Sequence, residues 1–246
     1  MSSAPPDLST ARRVLAVQPH YDDNDIAAGG TLAALADAGA ELHYLTVTDD
    51  LVGVLDASLD DAEARARLRA EQERAGAAIG VAAHYWLDYP DAGDWSQHDL
   101  RREVIRHVRL VRPDFLFTVD PWLPREAHGD HLKTGRAVAE AALLYRFPRL
   151  RTEPAVARRY EPHDLAGVAF YFTSEPNTVY DVSATRERKE RALGAYRAQF
   201  TAESLEGLQR LLESAERRCA ADRPFSHGEP LRVLAPAQLH CAVELD

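Results

Sequence analysis

The chain has 246 residues, 46% of them hydrophobic, enough to bury the core of one large α/β domain spanning residues 1–246. A formal charge of −10 works against a polyanionic partner, because binding to a phosphate backbone draws its affinity from clustered Lys and Arg, so no nucleic acid is expected. No stretch approaches the roughly 20 apolar residues that span a bilayer, and the apolar run Val14 to Val17 is too short for a signal-peptide core, so a cytoplasmic protein with no membrane contact is expected.

Arg13 to Gln18 reads as a short buried strand, followed by a polar turn and a helical Ala/Leu/Gly-rich segment from Asp25 to Ala38. Glu41 to Thr48 alternates as a second strand, entered through the helix-ending Gly39. A charged helix over Asp60 to Ile79 closes at Gly80, and Ala83 to Leu87 supplies a third strand. A helix from Gln97 to Val111 then leads through Pro113 to the strand Asp114 to Val119. Such alternation predicts an α/β, Rossmann-like fold: a mainly parallel sheet sandwiched by helices. Beyond it follow a helix over Leu132 to Tyr145, a Pro- and Arg-rich link from Arg149 to Pro162, and a strand over Gly167 to Phe172. Helical stretches over Ser183 to Gln199 and Ala202 to Cys219 come last, with a return strand expected near Ala242. Cys219 and Cys241 have neither the number nor the spacing of a disulfide framework or a thiolate zinc site.

In an open α/β sheet ligands bind beyond the carboxyl ends of the strands, which directs attention to the loops that follow them. Two such loops combine histidine with carboxylate: Gln18-Pro19-His20-Tyr21-Asp22-Asp23, and Asp120 to His131 with its His128-Gly129-Asp130-His131. A catalytic zinc takes three nitrogen or oxygen ligands and keeps a position open for water. His20 and Asp23, three residues apart, with His131 from the other loop, supply that set. Asp22, beside the ligands and not needed as one, is left as general base for a water that the ion acidifies while it polarises an amide carbonyl. His128 is the candidate for stabilising the oxyanion or protonating the leaving amine, with Asp130 orienting its ring. Asp22, Asp23 and Asp25 also read as helix N-caps, a role compatible with ligation. Gly29-Gly30 matches neither spacing of a phosphate-binding loop.

These residues resemble the LmbE-like or PIG-L deacetylases. Pro19-His20-Tyr21-Asp22-Asp23-Asn24 followed by Gly29-Gly30-Thr31-Leu32 is similar to the family's opening motif, and Asp120-Pro121-Trp122 leading to His128-Gly129-Asp130-His131 to its second. Glu71, Leu87-Asp88-Tyr89-Pro90-Asp91, Arg112-Pro113-Asp114 and Asp181-Val182-Ser183 with Lys189 and Gln199 add matches in the same order. The resemblance implies a Rossmann-like fold, zinc on His20, Asp23 and His131, and a base at Asp22. His128 carries over as the second motif's histidine, with Asp130 as its partner. Tyr21 and Gly129 stand where the family has proline, and Asn24 where glutamate is common. Leu68 occupies the place of an arginine found in many relatives, which leaves Arg69 as the substrate-binding candidate.

The expected activity is zinc-dependent removal of an acetyl group from the nitrogen of an amino sugar or glycosylated small molecule. An amidase cutting a larger acyl group from a thiol conjugate or natural product has the same metal chemistry. A metal-free binding module is the reading from a different class. Specificity resides in the loops, with Asp88 to Asp94 and Arg146 to Pro162 as the segments to watch.

Overall fold

Successive side chains of a strand point to opposite faces, and along β1 (Arg13–Gln18) this builds two cores. Val14 and Ala16 join a buried cluster with Leu32, Leu35 and Phe117, while Leu15 and Val17 join a second cluster with Leu45, Val104 and Leu116. A strand buried on both faces needs apolar residues at every position, which is why Val14 to Val17 shows no polar alternation.

The computed structural model describes residues 4–241. The further strands are β2 (Glu41–Thr48), β3 (Val81–Tyr89), β4 (Phe115–Val119), β5 (Gly167–Tyr171), β6 (Thr178–Asp181) and β7 (Gly228–Leu234). Among the described residues they form one sheet in the order β3-β2-β1-β4-β5-β7-β6. The neighbours from β3 to β5 pair in parallel, whereas β7 runs antiparallel to both β5 and β6. One face is covered by α1 (Asp23–Asp37), α2 (Asp61–Ile79), α6 (Arg186–Leu193) and α7 (Ala202–Cys219), whose Leu32, Leu68, Leu193 and Leu205 enter the first cluster. The other is covered by α3 (Gln97–Val111) and α4 (Gly129–Leu144), through Val104, Val108, Val138 and Ala141. Each fully buried leucine or valine contributes about 1.5–3 kcal/mol. No helix among the described residues is long and apolar enough to cross a membrane.

From β1 the chain steps outward to β2 and β3, then crosses back to place β4 on the other side of β1. The carboxyl ends of β1 and β4 therefore flank the point where strand order reverses, which is where open α/β sheets hold ligands. Local signals fix the approach to it. Asp60 and Glu63 form a reciprocal capping box at the start of α2, and Gly80 ends that helix at φ 100°. Arg112 closes α3 in the left-handed region just before Pro113, which disfavours a helical residue ahead of it.

The mainly parallel, helix-sandwiched sheet is the one expected, and β1, β2, α3 and α7 keep their expected limits. Other elements differ from the expectation. The helix expected over Ser183 to Gln199 is confined to Arg186–Leu193, because the chain turns at Gly194 to send the Tyr196 hydroxyl inward to Asp25 at 2.6 Å. The link after α4 contains a short helix, α5 (Pro154–Arg159), with proline in its first turn. The strand that returns to the sheet is β7; the one expected near Ala242 lies outside the described residues.

Candidate functional site

The loop after β1 is closed by its own carboxylate: Asp23 Oδ2 accepts from the His20 N–H at 2.9 Å. The backbone groups of Tyr21 are buried and find partners both near and far along the chain, as buried polar groups must. The Tyr21 N–H donates to Asp50 at 3.0 Å, and the Tyr21 carbonyl accepts from Gln18 at 3.1 Å, Gln72 at 3.0 Å and Tyr196 at 2.9 Å. Asp22 occupies the N-cap position of α1 yet makes no capping bond, and Asp25 is held by the hydroxyls of Tyr44 and Tyr196. The capping expected of these carboxylates is thus absent from their side chains.

The second loop ends where α4 begins, three residues earlier than expected, with His128 as its N-cap. His128 Nδ1 accepts from the Asp130 N–H at 3.3 Å, so a neutral ring carries its proton on Nε2. The Asp130 carboxylate faces elsewhere: it accepts from the Ala92 N–H at 2.9 Å and lies 3.8 Å from His20 Nε2. The partner expected to orient the His128 ring does so with its backbone, and the carboxylate is turned to His20.

His20, Asp23 and His131 come together with their donor atoms within 4.8 Å of one another. Asp23 bridges the two rings, at 3.3 Å from His20 Nδ1 and 3.5 Å from His131 Nε2. Glu126, 3.4 Å from His131 Nδ1, backs the second ring. The electrostatics call for a cation. Burial opposes a charged His20, but Asp130, Asp23 and Asp91 outweigh it and hold its pKa far above the ordinary value. Burial likewise opposes ionisation of Asp23, and His20 and His131 overrule it. Asp22 has no such relief: burial, then Asp23 and Asp50, push it well above the carboxylate range. Asp50 is pushed up to about 7, chiefly by burial. A nitrogen and oxygen donor set in a pocket with surplus carboxylates fits a divalent metal.

Residues 15–142, from β1 through α4 and including both histidine loops, match the family described as GlcNAc-PI de-N-acetylase, PIG-L. This chain belongs to the PIG-L family. It is 33% identical over 193 residues to diacetylchitobiose deacetylase of Thermococcus kodakarensis, covering 78% of this chain and 72% of that protein. It is 31% identical over 200 residues to 1D-myo-inositol 2-acetamido-2-deoxy-alpha-D-glucopyranoside deacetylase 1 of Catenulispora acidiphila, covering 71% of this chain and 59% of that one. The solved structure of N,N'-diacetylchitobiose deacetylase from Pyrococcus horikoshii, complexed with its inhibitor, superposes with a TM-score of 0.88 at 30% identity, over 96% of this chain and 88% of that one.

The PIG-L glycines are packing residues here. A Cβ at Gly30 would meet Val182 at 2.7 Å, and Gly29 lies against Lys189, so α1 touches the turn before α6 and the helix itself. Arg69 is not among the clustered donors. Its guanidinium bonds both oxygens of Asp88, at 2.6 and 2.5 Å, and lies 4.9 Å over the Trp86 ring.

Asp91, part of the family match and of the loop to watch, is given no place beside the donors by sequence reasoning. It sits in the loop after β3 with Oδ1 3.3 Å from His20 Nε2. The rule that drew attention to the loops after β1 and β4 applies equally to this one. The same rim carries backbone strain: Asp50, Asp88, Ala92, Arg125 and Phe172 all have φ between 51° and 68°, a region costly for residues with a Cβ. Phe172 lies parallel to the His131 ring at 6.2 Å between centroids.

Proposed function

We propose that this chain hydrolyses the acetamide of an N-acetylated amino sugar with zinc held by His20, Asp23 and His131. The observation that carries the reading is the convergence of those three donors within 4.8 Å at the sheet's switch point, with Asp22 beside them and uncommitted. The names of the 33% and 31% identical relatives, both deacetylases of acetamido sugars, support the substrate class.

A zinc ion in such a site acidifies water and polarises a carbonyl. Asp22 takes the proton of the attacking water. It stands next to the donor Asp23 with no capping bond of its own, which leaves its carboxylate free for that proton. His128 carries its proton on Nε2, because the Asp130 N–H occupies Nδ1. Burial and the adjacent His20 and His131 hold its pKa below the ordinary value, so it acts as a neutral hydrogen-bond donor to the developing oxyanion, while the proton that Asp22 takes from water passes on to the leaving nitrogen. The balance is one water consumed, the C–N bond broken, and a carboxylic acid and a free amine formed. Asp130 holds His20 in register for the metal through Nε2. Arg69, held by Asp88, is the substrate-binding residue of this reading.

Elemental analysis combined with acetate release from N,N'-diacetylchitobiose tests the reading. One zinc per chain with acetate formed is the expected result. Zinc with release of a longer acid from larger amides would instead favour the amidase, and a metal-free chain would leave the binding module.

A further inference from the structure

The loop after β3 is held from outside. Asp88 and Ala92 lie at φ 53° and 52°, so the turn between them persists only where neighbours over-determine it. Asp130 anchors one side by accepting the Ala92 N–H at 2.9 Å. The other anchor is Asp49, the first residue after β2, whose Oδ1 accepts the Asp91 N–H at 3.0 Å. The Asp49 N–H donates to the Tyr89 carbonyl at 2.8 Å, so a single residue pins the chain on both sides of Pro90. Its carboxylate is fixed in turn: Asp49 is buried, and its second oxygen accepts from Arg65 Nη2 at 3.0 Å. Arg65 projects from α2 one turn before Arg69, and both reach the same corner, Arg69 bonding Asp88 and Arg65 Nε lying 3.8 Å from it.

What this frame presents is the Asp91 side chain. Its Oδ2 accepts the Val52 N–H at 3.0 Å, and its Oδ1 lies 3.3 Å from His20 Nε2, the ring nitrogen turned away from Asp23. The direction of that oxygen depends on where the Asp91 backbone is held, and Asp49 holds it.

We infer that Asp49, fixed by Arg65, is a positioning residue for the metal site that acts through Asp91. Among the described residues Asp49 bonds none of His20, Asp23 and His131; its bonds go to the loop and to α2. A carboxylate facing the free nitrogen of a ligating imidazole fixes the ring's orientation for the metal, and losing such a partner costs about 10–100-fold in metal affinity. The chain of contacts runs from Arg65 on α2, through Asp49 after β2 and Asp91 after β3, to His20 after β1. The inference rests on the assignment of His20 as a metal ligand.

The test is the zinc affinity of the chelator-stripped full chain, read by competition with a coloured chelator, in a double-mutant cycle of Asp49→Ala and Asp91→Asn. Asp49→Ala is expected to weaken zinc binding by about 10-fold in the wild-type background and to have no further effect in the Asp91→Asn background. Asp49→Asn, which keeps an oxygen for the Asp91 N–H, should recover most of the lost affinity. Arg65→Met, at a partly exposed side chain, should weaken binding by about threefold and lose that effect in the Asp91→Asn background. Saturating zinc should restore most of the turnover of Asp49→Ala, because the hold on the ion is what has been damaged. Wild-type zinc affinity in both Asp49→Ala and Arg65→Met overturns the inference and leaves the metal assignment standing, even where the melting temperature falls. Equal losses with and without Asp91→Asn overturn it also, as does a turnover loss that saturating zinc leaves unchanged. A wild-type chain that binds no zinc overturns the metal assignment and this inference with it.

Discussion

Gln72 donates through Nε2 to the carbonyl oxygen of Tyr21 at 3.0 Å, which ties the middle of α2 to the loop that carries His20 and Asp23. The same amide donates to Thr46 at 2.8 Å and accepts from the Trp86 indole at 2.7 Å, so the side chain is held on three sides. A proline at position 21 would have fixed the loop through its own φ; here Tyr21 is fixed from outside. Gln72→Leu leaves the indole N–H without its acceptor and removes one donor from the Tyr21 carbonyl, at a cost of about 1–3 kcal/mol. Zinc affinity should fall by roughly 10–100-fold, as for loss of a residue that orients a ligand. A lowered melting temperature with unchanged zinc affinity in a chelator competition would make the clamp structural only.

Asp22→Asn removes the proton acceptor and keeps the shape. Turnover should drop by about 10²–10⁴-fold with metal content unchanged. His131→Ala should lose the metal itself. Metal loss in Asp22→Asn matching that in His131→Ala would make Asp22 a ligand.

Asp130 and His128 should separate by readout. The Asp130 carboxylate lies 3.8 Å from His20 Nε2, so Asp130→Ala is expected to weaken zinc binding by about 10–100-fold. His128→Ala removes a donor to substrate and should leave tight zinc binding intact while turnover falls. Equal zinc affinity in the two variants would show that the Asp130 carboxylate does not hold His20 for the metal.

Gly30 lies where α1 meets a buried charge cluster. Glu229 accepts from the Gly30 N–H at 3.0 Å and the Thr31 N–H at 2.7 Å, and Lys189 joins it to Glu216 at 2.7 and 2.6 Å. A Cβ at Gly30 would meet Val182 Cβ at 2.7 Å and Glu229 Oε1 at 3.1 Å, both in positions fixed by neighbours. Gly30→Ala is therefore expected to cost about 1–3 kcal/mol despite the better helix propensity of alanine. A rise in melting temperature would show that the turn around Val182 yields.

The first half of the fold and the two histidine loops were legible because their signals are local. β1 is a continuous apolar run, α2 has a cap at each end, and the histidines and carboxylates follow strand ends within a few residues. What escaped depends on distant partners. Asp91 reaches His20 only because β3 is placed beside β2 with its own register shifts. The orientation of the Asp130 carboxylate is set by the Ala92 N–H in another loop. β6 is only four residues long and β7 contains Pro230, so neither announces a strand by propensity. Gly29-Gly30 lies inside the expected helix, but Val182, Lys189 and Glu229, which crowd those positions, are more than a hundred residues away.

His84 gives stability a pH dependence separate from the metal site. On β3 its ring stacks on Trp86 at 5.8 Å and meets Tyr44 edge-on at 5.6 Å, and its Nδ1 is buried without a hydrogen bond. Burial pushes its pKa from 6.5 down to about 4. Below pH 6.5 the unfolded chain therefore takes up a proton that the folded one refuses. The folded state keeps its full stability above that pH and loses it progressively as pH falls toward about 4. The ring is partly open to water, so a loss on the order of 1 kcal/mol is expected, below the limit of about 1.4 kcal/mol per pH unit summed over the shift. His84→Gln removes the titration. Chelator-treated wild type should lose more melting temperature than this variant between about pH 7 and about pH 5. Parallel losses would place the acid sensitivity in the carboxylates around His20 instead.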